Sequence, residues 1–324
     1  MSKAVRIHEY GGPDVFRWET VPTPQPGAGE ALIRHEAIGV NYIDIYYRTG
    51  LYKLSEFPAV LGMEGAGVIE AVGADVHDFA PGDRVAYCSS IGGYASRRVI
   101  AAERLVKLPD DIDTITASAM MLRGLTVQAL LRQVRPLQSG ETILVHAAAG
   151  GVGLLLCQWA RHIGATVIGV VSTEEKAEIA RAHGAAHTIV GLANLSDQVK
   201  RLTDGAMVPV VYDSVGKDSF IASLDCLAPR GLMVSFGNAS GEVQGVNLSL
   251  LASRGSLFVT RPTLTTFIAK REALDASAAE LFAVVASGAV KIEIGQRFAL
   301  SHVADAHRAL ESRATTGSTV LVPD

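Results

Sequence analysis

The stretch HAAAGGVGLLLCQWARHIG, His146 to Gly164, sets alanines and glycines between an apolar run, TILVH (142–146), and a periodic apolar segment. In that segment Val152, Leu155, Leu156, Trp159 and Ile163 recur at intervals of three and four. The spacing places them on one face of a helix packed against a sheet, and Gly164 supplies the stop. A dinucleotide loop must follow a strand and open a helix, because free N–H groups at the helix start hold the pyrophosphate. This stretch meets both conditions. In the register of the fingerprint G-x-G-x-x-G, Ala148, Gly150 and Gly153 take the three glycine places. Alanine fits the first, tight-turn place if its φ stays negative. Gly150 stands where backbone approaches the pyrophosphate, and Gly153 where helix meets strand. A second glycine-rich stretch, LGMEGAGVIEAVG (61–73), runs from Val68 to Val72 into a Gly73-Ala74-Asp75 turn. That length leaves no room for a helix and predicts a strand bent at its glycines.

Outward from the loop, apolar runs alternate with helical patterns at the rhythm of a βαβ sheet. TVIGVV (166–171), HTIV (187–190), VPVVYD (208–213), GLMVSFG (231–237) and SLFVT (256–260) read as strands. Most are continuously apolar, as in a parallel sheet covered on both faces. TEEKAEIARAHG and KDSFIASLDCLAPRG read as intervening helices that end at Gly or Pro-x-Gly breaks. Before about residue 110 the pattern is instead short alternating strands between Gly, Pro and Asp turns. After about 265 it offers helices in KREALDASAAELFAVVASG and HVADAHRALESR and a terminal strand, STVLVP. The expected fold is α/β: a β-rich domain over 1–124 completed by 266–324, and a doubly wound parallel-sheet cofactor domain over 125–265.

The 324 residues carry a net charge of −4, 48% hydrophobic and 19% charged residues. That is an ordinary globular composition with no basic field for nucleic acid or anionic membrane. Arg97, Arg98, Arg132 and Arg135 read as solvated surface. Three cysteines (Cys88, Cys157, Cys226) lie far apart without metal-like spacing, which suits a reducing compartment; Cys157 reads as a core residue. No apolar run approaches the roughly 18 residues of a membrane helix, and the start MSKAVRIHEYGGPD has no leader-like apolar core. The expected address is cytoplasmic. The end of the second strand holds Ser172-Thr173 rather than the acidic residue that accepts ribose hydroxyls of NAD. Lys176 sits in the next helix's first turn, where a cation is unfavourable unless a phosphate balances it. NADPH is therefore the expected cofactor.

Five stretches, HAAAGGVG, GLMVSFGNASG (231–241), SLFVTRP (256–262), GVNYIDIYYRTGLY (39–52) and ESRATTGSTVLVP (311–323), resemble the quinone oxidoreductases. These form the zinc-free, zeta-crystallin-like branch of the medium-chain dehydrogenase/reductases, and the resemblance spans essentially the whole chain. It implies a GroES-like catalytic domain, a Rossmann NADPH domain, and a homodimer joined near Phe258 to Thr260. Where zinc-dependent relatives have Gly-His-Glu, this chain has Gly62-Met63-Glu64, and GVNYID lacks their cysteine; a thioether is a poor zinc ligand, so no metal is expected. The resemblance places Asn41, Tyr46 and Tyr52 near nicotinamide and substrate, Asn41 also touching the cofactor, with Thr126 beside it. It gives Gly150, Gly151 and Val152 to the pyrophosphate, and Ser172 and Lys176 to the 2′-phosphate. Phe236, Gly237, Asn238 and Ser240 line the cofactor farther along, with Arg313 from the tail. Gly191 stands where several relatives carry a tyrosine that grips the 2′-phosphate.

Without a metal, alcohol oxidation is poorly supported. Hydride transfer from NADPH to a quinone asks of the protein mainly positioning and water exclusion, with Asn41, Tyr46 and Tyr52 as donors to the developing oxyanion. Reduction of an alkenal or enone double bond is the nearest alternative. An NADPH-binding structural or RNA-binding role is the alternative of another class, disfavoured by the acidic charge balance.

Overall fold

A computed structural model describes residues 1–312 and 315–324. The chain divides into two compact units: 1–125, 268–286 and 292–324 form one, and 126–267 with 287–291 the other. The second unit is a six-stranded, wholly parallel sheet. Its spatial order is His187–Val190, Thr166–Val171, Thr142–His146, Val208–Asp213, Leu227–Ser235, Phe258–Thr260. Chain order runs outward in both directions from the junction of Thr142–His146 and Val208–Asp213, the switch point of a doubly wound sheet. Ile143, Leu144, Val145, Val167, Ile168, Val210 and Val211 are fully buried, which explains their unbroken apolar sequence. The helix Gly151–Ile163 packs against this sheet. It buries Leu155, Leu156 and Trp159 as the periodicity predicts, and also Leu154, Cys157, Gln158 and Ala160.

Two strands differ from the sequence reading: the sixth is Phe258–Thr260 rather than 256–260, and the fifth differs more. The fifth begins at Leu227 rather than 231 and runs through Pro229 and Gly231. Its register shifts against Val208–Asp213, and Arg230 adopts a positive φ of 62°. An irregularity of this kind lets a strand absorb the Pro-x-Gly break that reads as a stop. The preceding helix is correspondingly short, Phe220–Leu224.

The first unit is built on antiparallel pairing except between Ile294–Ala299 and Ser318–Val322, which run parallel. Its larger sheet runs Ile294–Ala299, Ser318–Val322, Glu30–Val40, Glu64–Val72, Arg84–Cys88, Val106–Lys107, and Arg97–Ala101 also pairs with Glu30–Val40. A three-stranded sheet, Phe16–Val21, Ser2–Ile7, Ala59–Val60, stands beside it in the same unit. Ile33, Ile69, Val85, Tyr87 and Leu105 fill one core cluster, and Val5, Ile7, Ile38, Val40, Leu61 and Leu321 another. Each fully buried aliphatic side chain contributes about 1.5–3 kcal/mol. The stretch 61–73 is a strand over Glu64–Val72, as read.

Two expectations are corrected. Arg98 is buried, not solvated: its guanidinium stacks over Tyr87 at 4.6 Å and donates to the Ser90 and Ile91 carbonyls. Among the described residues one segment, Thr114–Val134, is long and apolar enough to span a membrane, but 83% of its most apolar stretch is buried inside the protein. Its hydrophobicity is that of a core helix, ending in a π-helical turn over Ala129–Val134.

Candidate active site

In the parallel-sheet unit the candidate cofactor residues fall at the carboxyl ends of the strands. Gly150 is the N-cap of Gly151–Ile163, with extended backbone (φ −80°, ψ 170°) and no capping side chain. The first-turn N–H groups, those of Gly151 and Val152 among them, are thus left to an incoming anion. The positive φ of the turn falls on Ala147, at 50°, and not on Ala148. This answers why alanine is tolerated at the first fingerprint place. The third place is strict: a Cβ on Gly153 would lie 2.2 Å from the Ala147 carbonyl oxygen and 2.8 Å from the Ala148 backbone. The uncapped first-turn N–H groups after Gly150, and the close approach of helix to loop backbone that Gly153 permits, fit a pyrophosphate.

Beyond the second strand, Ser172 is exposed and Thr173 caps the next helix, its Oγ1 accepting from the Lys176 N–H at 3.3 Å. Lys176 is half-buried in that first turn. Gly191 has φ +77° and donates to the Val171 carbonyl. A tyrosine there would be strained, which gives glycine at 191 a backbone cause. Farther along, Phe236, Gly237, Asn238 and Ser240 lie together in the loop after Leu227–Ser235. A Cβ on Gly237 would meet the Ser214 carbonyl at 2.3 Å, and Ser240 Oγ donates to the Val215 carbonyl at 2.9 Å. Thr126 is half-buried near the end of helix Thr114–Gln128. Arg313 lies outside the described residues.

In the first unit, Asn41 is the N-cap of helix Tyr42–Arg48 and is buried. Its Nδ2 donates to Glu64 Oε1 at 2.6 Å, and its backbone N–H to Asp44 Oδ2 at 2.8 Å. Tyr46 and Tyr52 meet edge to face at 5.3 Å, and Tyr47 packs on Tyr52 at 5.6 Å. The Tyr52 N–H donates to the Tyr46 carbonyl at 3.0 Å, fixing the turn. The structure thus brings the two tyrosines together and sets Asn41 at the start of the helix that carries Tyr46.

Behind Asn41 stands a buried polar network that sequence reasoning missed. Glu64 Oε2 accepts from the Leu122 N–H at 2.7 Å, and Arg123 donates to the Val40 carbonyl at 2.7 Å. Burial raises the Glu64 pKa, with Arg123 and Asn41 acting against it. Asp44 Oδ2 also accepts from Tyr94 Oη at 2.9 Å. Tyr94 Oη accepts in turn from His307 Nε2, at 2.9 Å, and His307 Nδ1 from Arg48, at 3.0 Å. Arginine can only donate, so the His307 Nδ1 must be bare and the proton sits on Nε2. Burial pushes Asp44 up to about 7 and His307 down to about 3. Asn41, Asp44 and Arg48 are spaced i, i+3, i+7, one helical face, and that spacing is the signal that could have exposed the network. Met63 is buried beside Glu64. Among the described residues no group of three or more His, Cys, Asp or Glu is placed to hold a metal ion.

Comparison with known proteins agrees with this fold. Residues 27–110 match the alcohol dehydrogenase GroES-like domain and 151–283 the zinc-binding dehydrogenase family. The chain is 54% identical to a quinone oxidoreductase of Pseudomonas aeruginosa, and 44% identical to a 2-haloacrylate reductase of a Burkholderia species. The alignments cover all of this chain and 100% and 99% of those proteins. The crystal structure of Escherichia coli quinone oxidoreductase complexed with NADPH superposes with a TM-score of 0.97 at 44% identity, covering 99% of this chain and 100% of that one. With its whole length so matched, a GroES-like sheet joined in sequence to a Rossmann sheet, the chain is an oxidoreductase and belongs to the quinone oxidoreductases of the medium-chain dehydrogenase/reductase superfamily.

Proposed function

We propose that the protein reduces quinones with NADPH, without metal. The observation that carries the reading is the Ala147–Gly153 cradle at the sheet switch point, followed by Ser172 and Lys176 where an NAD-binding acid would stand. The E. coli relative crystallised with NADPH supports it. Bound NADPH supplies the hydride. The first-turn N–H groups after Gly150 would hydrogen-bond the pyrophosphate, and the Lys176 ammonium would pair with the 2′-phosphate. Residues 125–265 act as cofactor domain, and 1–124 with 266–324 as catalytic domain. Tyr46 and Tyr52 supply hydroxyls to the oxygen that gains charge in the acceptor, and Asn41 orients the reacting groups. We infer a cytoplasmic homodimer through the edge strand Phe258–Thr260, where Phe258 and Val259 are 57% and 40% exposed; sedimentation at dilute and concentrated protein reads this directly, and a monomer at every concentration would refute it.

The test is NADPH oxidation followed optically against ortho-quinones, para-quinones, an alkenal and a 2-haloacrylate. Quinone-dependent turnover supports the reading. The 44% identical 2-haloacrylate reductase favours a second reading, reduction of an activated double bond, and turnover with the alkenal or acrylate alone would select it. Tyr52→Phe and Tyr46→Phe are expected to lower kcat/KM for the acceptor by about 10- to 100-fold each, the worth of a hydrogen bond to developing charge; an unchanged value would remove the hydroxyls from the chemistry. Lys176→Ala is expected to raise KM for NADPH by about tenfold or more while leaving KM for NADH in place.

A further inference from the structure

Asp213 ends the strand Val208–Asp213 and is fully buried. Its carboxyl accepts four hydrogen bonds. Oδ1 takes the N–H groups of Val215 and Gly216 at 2.7 and 3.1 Å, and Oδ2 takes the hydroxyls of Ser219 and Ser223 at 2.6 and 2.9 Å. Ser223 Oγ also lies 2.9 Å from His146 Nε2. Because the Ser223 proton points at Asp213, the Ser223 oxygen must accept from His146 Nε2–H. Ser219, Ser223 and His146 are themselves buried.

The two ends of this chain of bonds matter. His146 is the last residue before Ala147–Gly150, the pyrophosphate loop. The turn after Asp213 holds the second cofactor loop. Ala239 and Ser240 donate their N–H groups to Ser214 and Val215, Lys217 donates to Gly241, and Asp218 donates to Ser240 Oγ. A Cβ on Gly216 would strike the Gly241 carbonyl at 2.7 Å, so the turn and loop touch backbone to backbone. The strands that carry His146 and Asp213 are paired neighbours, with Tyr212 opposite Val145. They flank the switch point, where a dinucleotide crosses the sheet.

We propose that Asp213, Ser223 and His146 are positioning residues that lock the pyrophosphate loop and the 236–241 loop at the spacing one NADPH molecule requires. The proposal rests on the NADPH reading above. None of the three need touch the cofactor; they act through the loops, and their effect belongs on affinity rather than on the chemical step.

The test is calorimetric titration of the full-length protein with NADPH, with kcat at saturating NADPH and thermal melting in parallel. Ser223→Ala leaves the His146 Nε2–H buried without an acceptor. It should weaken NADPH binding roughly five- to tenfold and lower the melting temperature, with a smaller change in kcat. The double variant His146→Leu, Ser223→Ala also removes the stranded imidazole, so the melting temperature should recover in part, Asp213 still lacking the Ser223 hydroxyl, while NADPH binding stays weak. Recovery of both together would show the pair to be structural only and overturn the proposal, as would unchanged affinity in Ser223→Ala. A wild-type protein that is folded but binds no NADPH would defeat the cofactor reading first, and this inference with it.

Discussion

Gly153→Ala is expected to cost NADPH binding at least about 100-fold and the fold roughly 2–4 kcal/mol. The added methyl would sit 2.2 Å from the Ala147 carbonyl oxygen and 2.8 Å from the Ala148 Cα, all backbone atoms that no rotamer change can move aside. Helix and strand must separate, or the loop must rebuild, and either displaces the N–H groups meant for the pyrophosphate. Gly150→Ala is the matched contrast. Its Cβ would meet nothing nearer than the Ala147 oxygen at 3.1 Å, and its φ of −80° suits alanine. That variant should melt close to wild type yet still bind NADPH more weakly, because the methyl occupies the cofactor's approach. Melting and NADPH titration of the two side by side decide the matter. Equal losses of stability would contradict the geometry, and unimpaired binding in both would remove the loop from the cofactor site.

The second large effect is acid sensitivity. His35 and His307 are buried and held neutral, each pushed down to about 3, and burial lowers His146 as well. For groups depressed in the folded state, the stability they contribute is present above their unfolded pKa near 6.5 and is lost as pH falls toward 3. Asp44 works in the opposite sense. Raised to about 7 by burial, it takes up a proton in the folded protein first, so its contribution grows as pH falls from 7 toward 4. Glu64, which burial also raises, acts in the same sense, but the three depressed histidines outnumber the two carboxyls. Wild-type stability should fall by on the order of 2–5 kcal/mol between pH 6.5 and 4.5. Asp44→Asn should steepen that loss by roughly 1 kcal/mol per pH unit, up to one proton's worth. Urea unfolding at several pH values measures both, and a flat profile would show that these groups titrate alike folded and unfolded.

Much of this molecule was legible in the sequence because its signals are local. TILVH, TVIGVV, HTIV and VPVVYD declare a doubly covered parallel sheet by unbroken apolar character, and HAAAGGVG declares a strand–loop–helix junction within a few residues. The Pro229–Gly231 break misled because a register shift is tertiary, settled by the neighbouring strand rather than by the segment. Arg98 misled for a related reason: its carbonyl acceptors and the Tyr87 face are set by folding, not by spacing. The polar scaffolds were the least legible. Tyr94 and His307 meet across 213 positions, and nothing in either neighbourhood announces the other. Ser223 and His146 are 77 apart, and a serine in a short amphipathic helix looks like any solvent-facing polar residue until the fold buries it.

The strand Ser318–Val322 lies in the interior of the first unit's larger sheet, between Ile294–Ala299 and Glu30–Val40. On the ribosome the whole parallel sheet, Thr142 to Thr260, is synthesised before that strand exists. The GroES-like sheet must therefore wait with Ile38, Gly39 and Val40 unpaired along an open edge. Vectorial synthesis thus delivers all six strands of the parallel sheet before the strand that pairs with Ile38–Val40.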